Sequence, residues 1–215
     1  MNALLPRHHA LRRVVEAALP RRLLVARGPR GQRRIALTFD DGPGELTRAY
    51  LETLERHGAR ATFFVVGAEC AGRAPLLAEM LERGHELAGH GYSHERFPVL
   101  AARGELESEL AATRACLPGQ PRRVRPPYGA LSVGSLRVCA RAGVTVVLWS
   151  VDSEDWRRHD PPELVQLVSP HTVEPGSIVL MHEGQPWTLD ALAEIVPALR
   201  RSGYDLVTVG ELLAA

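Results

Sequence analysis

The chain has 215 residues, 45% of them hydrophobic, and a formal net charge of +1. One large domain with a sizeable core is expected, and no overall charge draws it to nucleic acid or anionic lipid. All 26 basic residues are arginine, which excludes chemistry on a lysine amine, and three scattered cysteines (Cys70, Cys116, Cys139) without a CxxC exclude a disulfide framework or a thiolate zinc site.

The first 32 residues are arginine-rich and read as a basic extension, helical and packed against the main body, with Gly28 to Arg34 as the seam. Their apolar runs are too short for a secretory signal, and no run in the chain approaches the ~20 residues of a membrane span. This leaves residues 33–215 as the main domain and gives no export address. From there strand and helix patterns alternate. Ile35–Phe39 reads as a strand and Thr47–His57 as a helix stopped by Gly58. Ala61–Val66 is β-branched and aromatic, hence a strand. Pro75–Arg83 reads as a helix, His85–Ala88 as a strand, Gly104–Leu117 as a helix and Arg123–Arg125 as a strand cut off by Pro126-Pro127. Ser135–Ala142 is helical, Val144–Ser150 a buried strand, and Pro161–Val168 a helix with proline in its first turn. Ser177–Met181 is a strand, and Leu189–Arg201 a helix that Pro197 should kink or shorten. Asp205–Thr208 and Val209–Leu213 complete the series. Such alternation with short connections predicts about seven parallel strands covered by helices, as a (β/α) barrel or an open doubly wound sheet.

Five of the strand-like runs end in polar motifs. These are Asp40-Asp41-Gly42-Pro43, His90-Gly91-Tyr92-Ser93-His94, Arg125-Pro126-Pro127-Tyr128-Gly129, Asp152-Ser153-Glu154-Asp155-Trp156 and His182-Glu183-Gly184. Parallel strands put their carboxyl ends on one face, so these distant groups are expected to meet around one cleft. The four-residue spacing of His90 and His94 suits chelation of one ion, and a carboxylate from the Asp40-Asp41 pair would complete an open, two-histidine, one-carboxylate site. Gly91 stands where the zinc-protease HExxH pattern needs its glutamate, so that mechanism is excluded. One aspartate would bind metal and the other act as base; spacing does not say which. Arg125 could hold the base ionised, Asp155 could orient and tune His182 as an acid, and Trp156 and Leu180 could wall a small apolar pocket.

In order and spacing, TFDDGP, HGYSH, RPPYG, DSEDW and LMH resemble the motifs of the polysaccharide deacetylase family, the NodB-homology domain of carbohydrate esterase family four. The resemblance runs from about Arg33 to the C-terminus and implies a distorted (β/α) barrel. It implies Asp40 as general base and Asp41, His90 and His94 as ligands of one divalent ion, zinc before cobalt, nickel or manganese. It further implies Arg125 as the tether of the base, the Tyr128 N–H as an oxyanion donor, His182 as the acid, Asp155 as its partner, and Trp156 and Leu180 as walls of an acetate pocket. One departure is Gly91, where the family usually carries Ser or Thr; lower metal affinity or a looser loop is the expected consequence.

The implied activity is metal-dependent removal of N-acetyl groups from an N-acetylhexosamine glycan, peptidoglycan or a chitin-like oligomer, with that glycan as the partner. The alternatives are O-acetyl ester hydrolysis on xylan or another acetylated polysaccharide, hydrolysis of a small-molecule amide, and a glycan-binding pseudoenzyme. His57, His85, His159 and His171 lack partner spacing and read as structural or surface residues. Trp187 is a candidate for stacking on a sugar, and Arg157-Arg158 are candidates for meeting an anionic substrate.

Overall fold

Side-chain alternation along β2 (Arg34–Asp40) divides the molecule into an inside and an outside. Ile35, Leu37 and Phe39 pack outward into the largest core cluster, whereas Ala36 belongs to a separate inner cluster with Phe64, Ala88, Val147 and Ile178. A strand's period of two therefore turns Thr38 and Asp40 inward with Ala36. The same alternation in β8 (Ile178–His182) sends Val179 and Met181 outward, and Ile178, Leu180 and His182 inward. The polar residues at the strand ends thus belong to the interior stripe of the sheet.

The computed structural model describes residues 19–214. Beside β2 stand β3 (Ala61–Val65), β4 (Glu86–Gly89), β5 (Arg123–Val124) and β6 (Thr145–Val147), each parallel to its neighbour. On the other side of β2 stands β8, followed by β7 (Val151–Asp152), again in parallel. Two short strands complete the sheet: β1 (Leu24–Val25) pairs β6, and β9 (Asp205–Leu206) pairs the start of β2.

The sheet curls on itself at the β6–β7 bend. β6 pairs with β5, but its continuation crosses to β8, where Ser150 N–H donates to the Ile178 carbonyl at 2.9 Å and Ser153 N–H to that of Leu180 at 3.1 Å. An Arg27–Ser177 bridge joins the chain after β1 to the start of β8. The result is a distorted (β/α) barrel of the kind expected. Its outer face carries α1 (Thr47–Glu55), α2 (Ala74–Glu82) and α7 (Pro186–Arg201) on one side, and α3 (Phe97–Arg103), α4 (Leu106–Cys116) and α5 (Val133–Arg141) on the other. Two further helices, α6 (Pro161–Leu167) and α8 (Val209–Leu213), follow β7 and β9.

Several expectations need correction. Residues 1–18 of the expected helical extension lie outside the described residues, and residues 19–32 form turns, β1 and a bridge rather than helix. Leu24 and Val25 are buried in the sheet. The helix α3 was not expected: Pro98 looks like a breaker but sits in the first turn, where a missing N–H costs nothing. Gly104, read as a helix start, is the left-handed cap that ends α3. The run read as one strand, Val144–Ser150, is strand only over β6; Leu148–Ser150 form the bend, and β7 begins beyond it at Val151. Pro197 does not shorten α7, which continues to Arg201.

Candidate metal centre and active site

The parallel ladders continue past the strands and tie the polar loops to one another. His90 N–H donates to the Val65 carbonyl at 2.8 Å, Arg125 N–H to that of Gly89 at 2.8 Å, and Glu183 N–H to that of Asp40 at 2.8 Å. Val66 N–H donates to the Gly42 carbonyl at 2.9 Å. Each loop therefore starts from a position fixed by its neighbour.

Asp41, His90 and His94 each offer one donor atom, and these atoms lie within 4.8 Å of one another. Asp41 Oδ1 is 3.1 Å from His94 Nε2 and 3.4 Å from His90 Nε2. His90 Nδ1 lies 2.8 Å from the Arg125 carbonyl oxygen, which only accepts, so Nδ1 carries the proton and Nε2 presents its lone pair to the cluster. Burial opposes ionisation of Asp41, but His90 and His94 override it and hold its carboxyl well below the usual carboxylate range. Two imidazoles, one ionised carboxylate and a fixed tautomer fit a divalent cation with coordination positions left over. Both Asp41 (φ 76°) and His94 (φ 59°) adopt left-handed backbone, uncommon for residues with a Cβ.

The histidine loop has an anchor that spacing alone does not reveal. Glu109, on α4, accepts from Tyr92 N–H at 2.8 Å, from Ser93 N–H at 2.7 Å and from the Ser93 hydroxyl at 2.7 Å. Gly91 has φ 81°, a conformation glycine enters without the Cβ clash. The glycine follows from the backbone its loop adopts, and the loop is pinned from outside by Glu109.

Beneath the cluster lies Arg125, with no exposed surface. Its Nη1 donates to Asp40 Oδ1 at 2.7 Å and to Thr38 Oγ1 at 2.8 Å. Its Nε and Nη2 reach the Val147 and Leu148 carbonyls at 3.2 Å each, and its guanidinium lies 4.0 Å from the Phe64 ring centroid. This partner set compensates the cost of burying the cation and fixes Asp40, whose other oxygen is 3.7 Å from His90 Nε2.

The second pair stands on the neighbouring strand. His182 Nδ1 is 2.7 Å from Asp155 Oδ1, and Asp155 Oδ2 accepts from the His182 backbone N–H at 2.7 Å and the Thr188 hydroxyl at 2.8 Å. Burial disfavours charge on His182, but Asp155 outweighs it, aided by Asp40 and Asp41, and His182 is raised to about 9. Trp187 donates its indole N–H to the Asp155 carbonyl at 2.9 Å, with His159 against its ring at 4.1 Å. The indole that was a candidate for stacking on sugar supports Asp155 from the side.

Of the remaining expected residues, Leu180 is buried and faces inward beside Thr38 in the β2–β8 register. Trp156 and Tyr128 stand at the rim, 58% and 62% exposed. The Tyr128 ring packs edge-on to His94 at 5.0 Å. Arg157 and Arg158 are both committed to Glu154.

Glu183 was missed as a site residue. It is 5% exposed, accepts from Gly44 N–H at 3.2 Å and from the Thr47 hydroxyl, and leaves Oε2 without a partner. A Cβ on Gly42 would collide with its carboxylate, so the Asp40-Asp41-Gly42 turn closes directly over it. Burial pushes Glu183 up to about 7 against these hydrogen bonds.

By fold, and by the position of this cluster at the carboxyl ends of the strands, the protein is a (β/α)-barrel enzyme. The sequence profile of the polysaccharide deacetylase family matches residues 27–147. A chitooligosaccharide deacetylase of Sinorhizobium fredii is 37% identical over 201 residues, which cover 84% of this chain and 92% of that protein. The peptidoglycan-N-acetylglucosamine deacetylase PgdA of Listeria monocytogenes is 34% identical over 90% of this chain, and the match spans 42% of the longer relative. The crystal structure of the peptidoglycan N-acetylglucosamine deacetylase Bc1960 superposes with a TM-score of 0.83 at 28% identity, covering 90% of this chain and 94% of that one. The chain belongs to the polysaccharide deacetylase family.

Proposed function

We propose that this protein hydrolyses the acetamide of an N-acetylhexosamine glycan, of the peptidoglycan or chitin type, releasing acetate and leaving a free amine on the sugar. The observation that carries the reading is the pairing of functions around one cluster. Asp41, His90 and His94 present donors, Arg125 holds Asp40 at 2.7 Å, and Asp155 holds His182 at 2.7 Å.

Asp41 and the Nε2 atoms of His90 and His94 would hold one divalent cation, zinc first among zinc, cobalt, nickel and manganese for this donor set. Bound there, such a cation supplies a Lewis acid for the acetyl oxygen and lowers the pKa of a water. Asp40, kept in place by Arg125, accepts the proton of the attacking water. The Tyr128 N–H, which makes no hydrogen bond among the described residues, is the donor for the oxyanion that develops as water adds to the carbonyl carbon; one such donor is commonly worth about 3 kcal/mol. His182 delivers a proton to the departing nitrogen, without which an amine anion would have to leave. The C–N bond breaks and the new C–O bond remains in acetate. Leu180 and Trp156 are assigned to the walls around the acetyl methyl group, and residues 33–215, with the strand at Leu24–Val25, to the catalytic unit. A protonated, aspartate-backed histidine suits a poor amine leaving group, which favours amide over ester hydrolysis.

The test is acetate release from matched N- and O-acetylated oligosaccharides, after chelation and again after metal is restored. Metal-dependent release from the N-acetylated set is the expected result. Release confined to O-acetyl esters would replace the amide reading with an esterase, and binding without release would make the protein a glycan-binding member of the family.

A further inference from the structure

The rim of the cleft holds a positive charge that the proposed reaction does not use. Arg96 follows His94 by two residues, and its guanidinium carbon lies 4.2 Å from the Tyr128 ring centroid. The same ring meets His94 at 5.0 Å. A single aromatic ring therefore separates the guanidinium from a donor of the proposed metal centre. Arg96 is exposed, and among the described residues it makes no ion pair. Arg157 and Arg158, the other arginines of the rim, are both occupied by Glu154.

Stacking on an aromatic face engages the flat side of a guanidinium and leaves its in-plane N–H groups open. Those groups form the fork that matches a carboxylate with two parallel hydrogen bonds. The stacking also limits the rotamers of a long side chain, so less freedom is lost when a ligand binds.

We infer that Arg96 is an anion-recognition point of the cleft, reading a carboxylate carried by the glycan close to the acetamido group under attack. The inference rests on the deacetylase reading and narrows its substrate class to acidic amino-sugar polymers. His94 and the Arg96 guanidinium contact the same Tyr128 ring, at 5.0 Å and 4.2 Å from its centroid, so the charge stands at the edge of the proposed metal centre. A carboxylate on a substituent of the reacting sugar, or on its neighbour, reaches the fork while the acetyl group occupies the centre. A neutral homopolymer of N-acetylglucosamine offers Arg96 only uncharged acceptors, hydroxyls and acetamide carbonyls, and no anion to pair with its charge.

The experiment measures kcat/KM for acetate release from two oligomers of equal length. One is a neutral N-acetylglucosamine oligomer; the other carries N-acetylmuramic acid with its free carboxylate. Each is assayed with the wild type and with Arg96→Gln, which removes the charge and keeps a flat polar end over Tyr128. The wild type is expected to prefer the acidic oligomer, and Arg96→Gln to lower the acidic-to-neutral ratio about tenfold, the scale of one charge-assisted pair. Raising salt should lower that ratio in the wild type and leave it flat in the variant. An unchanged ratio in Arg96→Gln, or a wild-type preference for the neutral oligomer, overturns the inference while leaving deacetylation standing. Absence of acetate from both oligomers with the metal-loaded wild type removes the deacetylase reading and the inference with it.

Discussion

The backbone carbonyl of Arg125 lies 2.8 Å from His90 Nδ1, while the side chain of the same arginine holds Asp40 at 2.7 Å. One buried residue thus fixes the tautomer of a proposed metal donor through its main chain and the position of the proposed base through its guanidinium. The two roles separate on mutation, because substitution removes only the second.

Arg125→Met leaves Asp40 buried without its cation, and breaking a buried pair from one side costs about 3–5 kcal/mol. A clear drop in the thermal midpoint and loss of activity are expected. Arg125→Lys keeps the charge but cannot reach four acceptors at once. It should lower kcat at least tenfold while metal affinity, followed by calorimetry, changes much less. A parallel collapse of metal affinity in Arg125→Lys would show that the two roles do not separate.

Asp41→Asn and His94→Ala remove donors from a three-donor set. Both should abolish stoichiometric binding of zinc by the folded protein, measured by competition with a chromogenic chelator. His182→Ala should bind zinc as the wild type does and release no acetate. Zinc retention by Asp41→Asn and His94→Ala would mean that the cation sits elsewhere.

Glu109→Ala should loosen the histidine loop by freeing three donors at Tyr92 and Ser93. Loss of such an outer partner typically lowers metal affinity about 10–100-fold. Gly91→Ser, which restores the residue type usual in the family, should destabilise the fold by about 1 kcal/mol, because the φ of 81° disfavours any Cβ. A serine variant with tighter metal binding and unchanged stability would contradict this account of the loop.

The pH profile should report His182. As the proposed proton donor it must be charged, and its value of about 9 refers to the site without a cation. The alkaline limb of kcat/KM should fall at or below pH 9, since a bound cation disfavours the charged imidazole. Asp155→Asn removes the main partner of that charge, so the limb should move toward the ordinary histidine range. An alkaline limb that does not move in Asp155→Asn would assign it to another group.

Glu183 gives a stability signature of its own. Its folded value, about 7, lies above its ordinary value of 4.5, so the folded state holds the proton more tightly. The associated stability is full below pH 4.5 and is lost as pH rises through 7, a difference on the order of 3 kcal/mol. His182 adds a loss of the same sign between 6.5 and about 9 in the metal-free protein. Denaturant unfolding of chelated samples should show stability falling from pH 5 to 8, and Glu183→Gln should flatten the part between 4.5 and 7.

Much of the barrel was legible because each strand ended in a recognisable polar motif. The period of two along Ala36, Thr38 and Asp40, and along Ile178, Leu180 and His182, turns those ends into one interior. The supporting acids were not legible. Glu109 is one of two glutamates on α4 and carries no spacing signal, and the role of Glu183 depends on a turn that closes over it from the other end of the chain. A main-chain acceptor such as the Arg125 carbonyl has no side-chain signature at all. The bend at Leu148–Ser150 was hidden because the apolar run of β6 continues through Leu148 and Trp149, so hydropathy alone could not show where the strand changes partners.

Four non-glycine residues on the rim, Asp41, His94, Tyr128 and Glu154, share left-handed backbone angles, and Gln120 is the one other such case among the described residues. Backbone of this kind costs about 1–2 kcal/mol per residue and persists only where surrounding packing enforces it. Thermostability and catalytic geometry consequently compete at these four peptides. Glycine there would relax the chain and release the very orientation that the staves maintain, so engineering for heat tolerance belongs at the opposite mouth of the barrel.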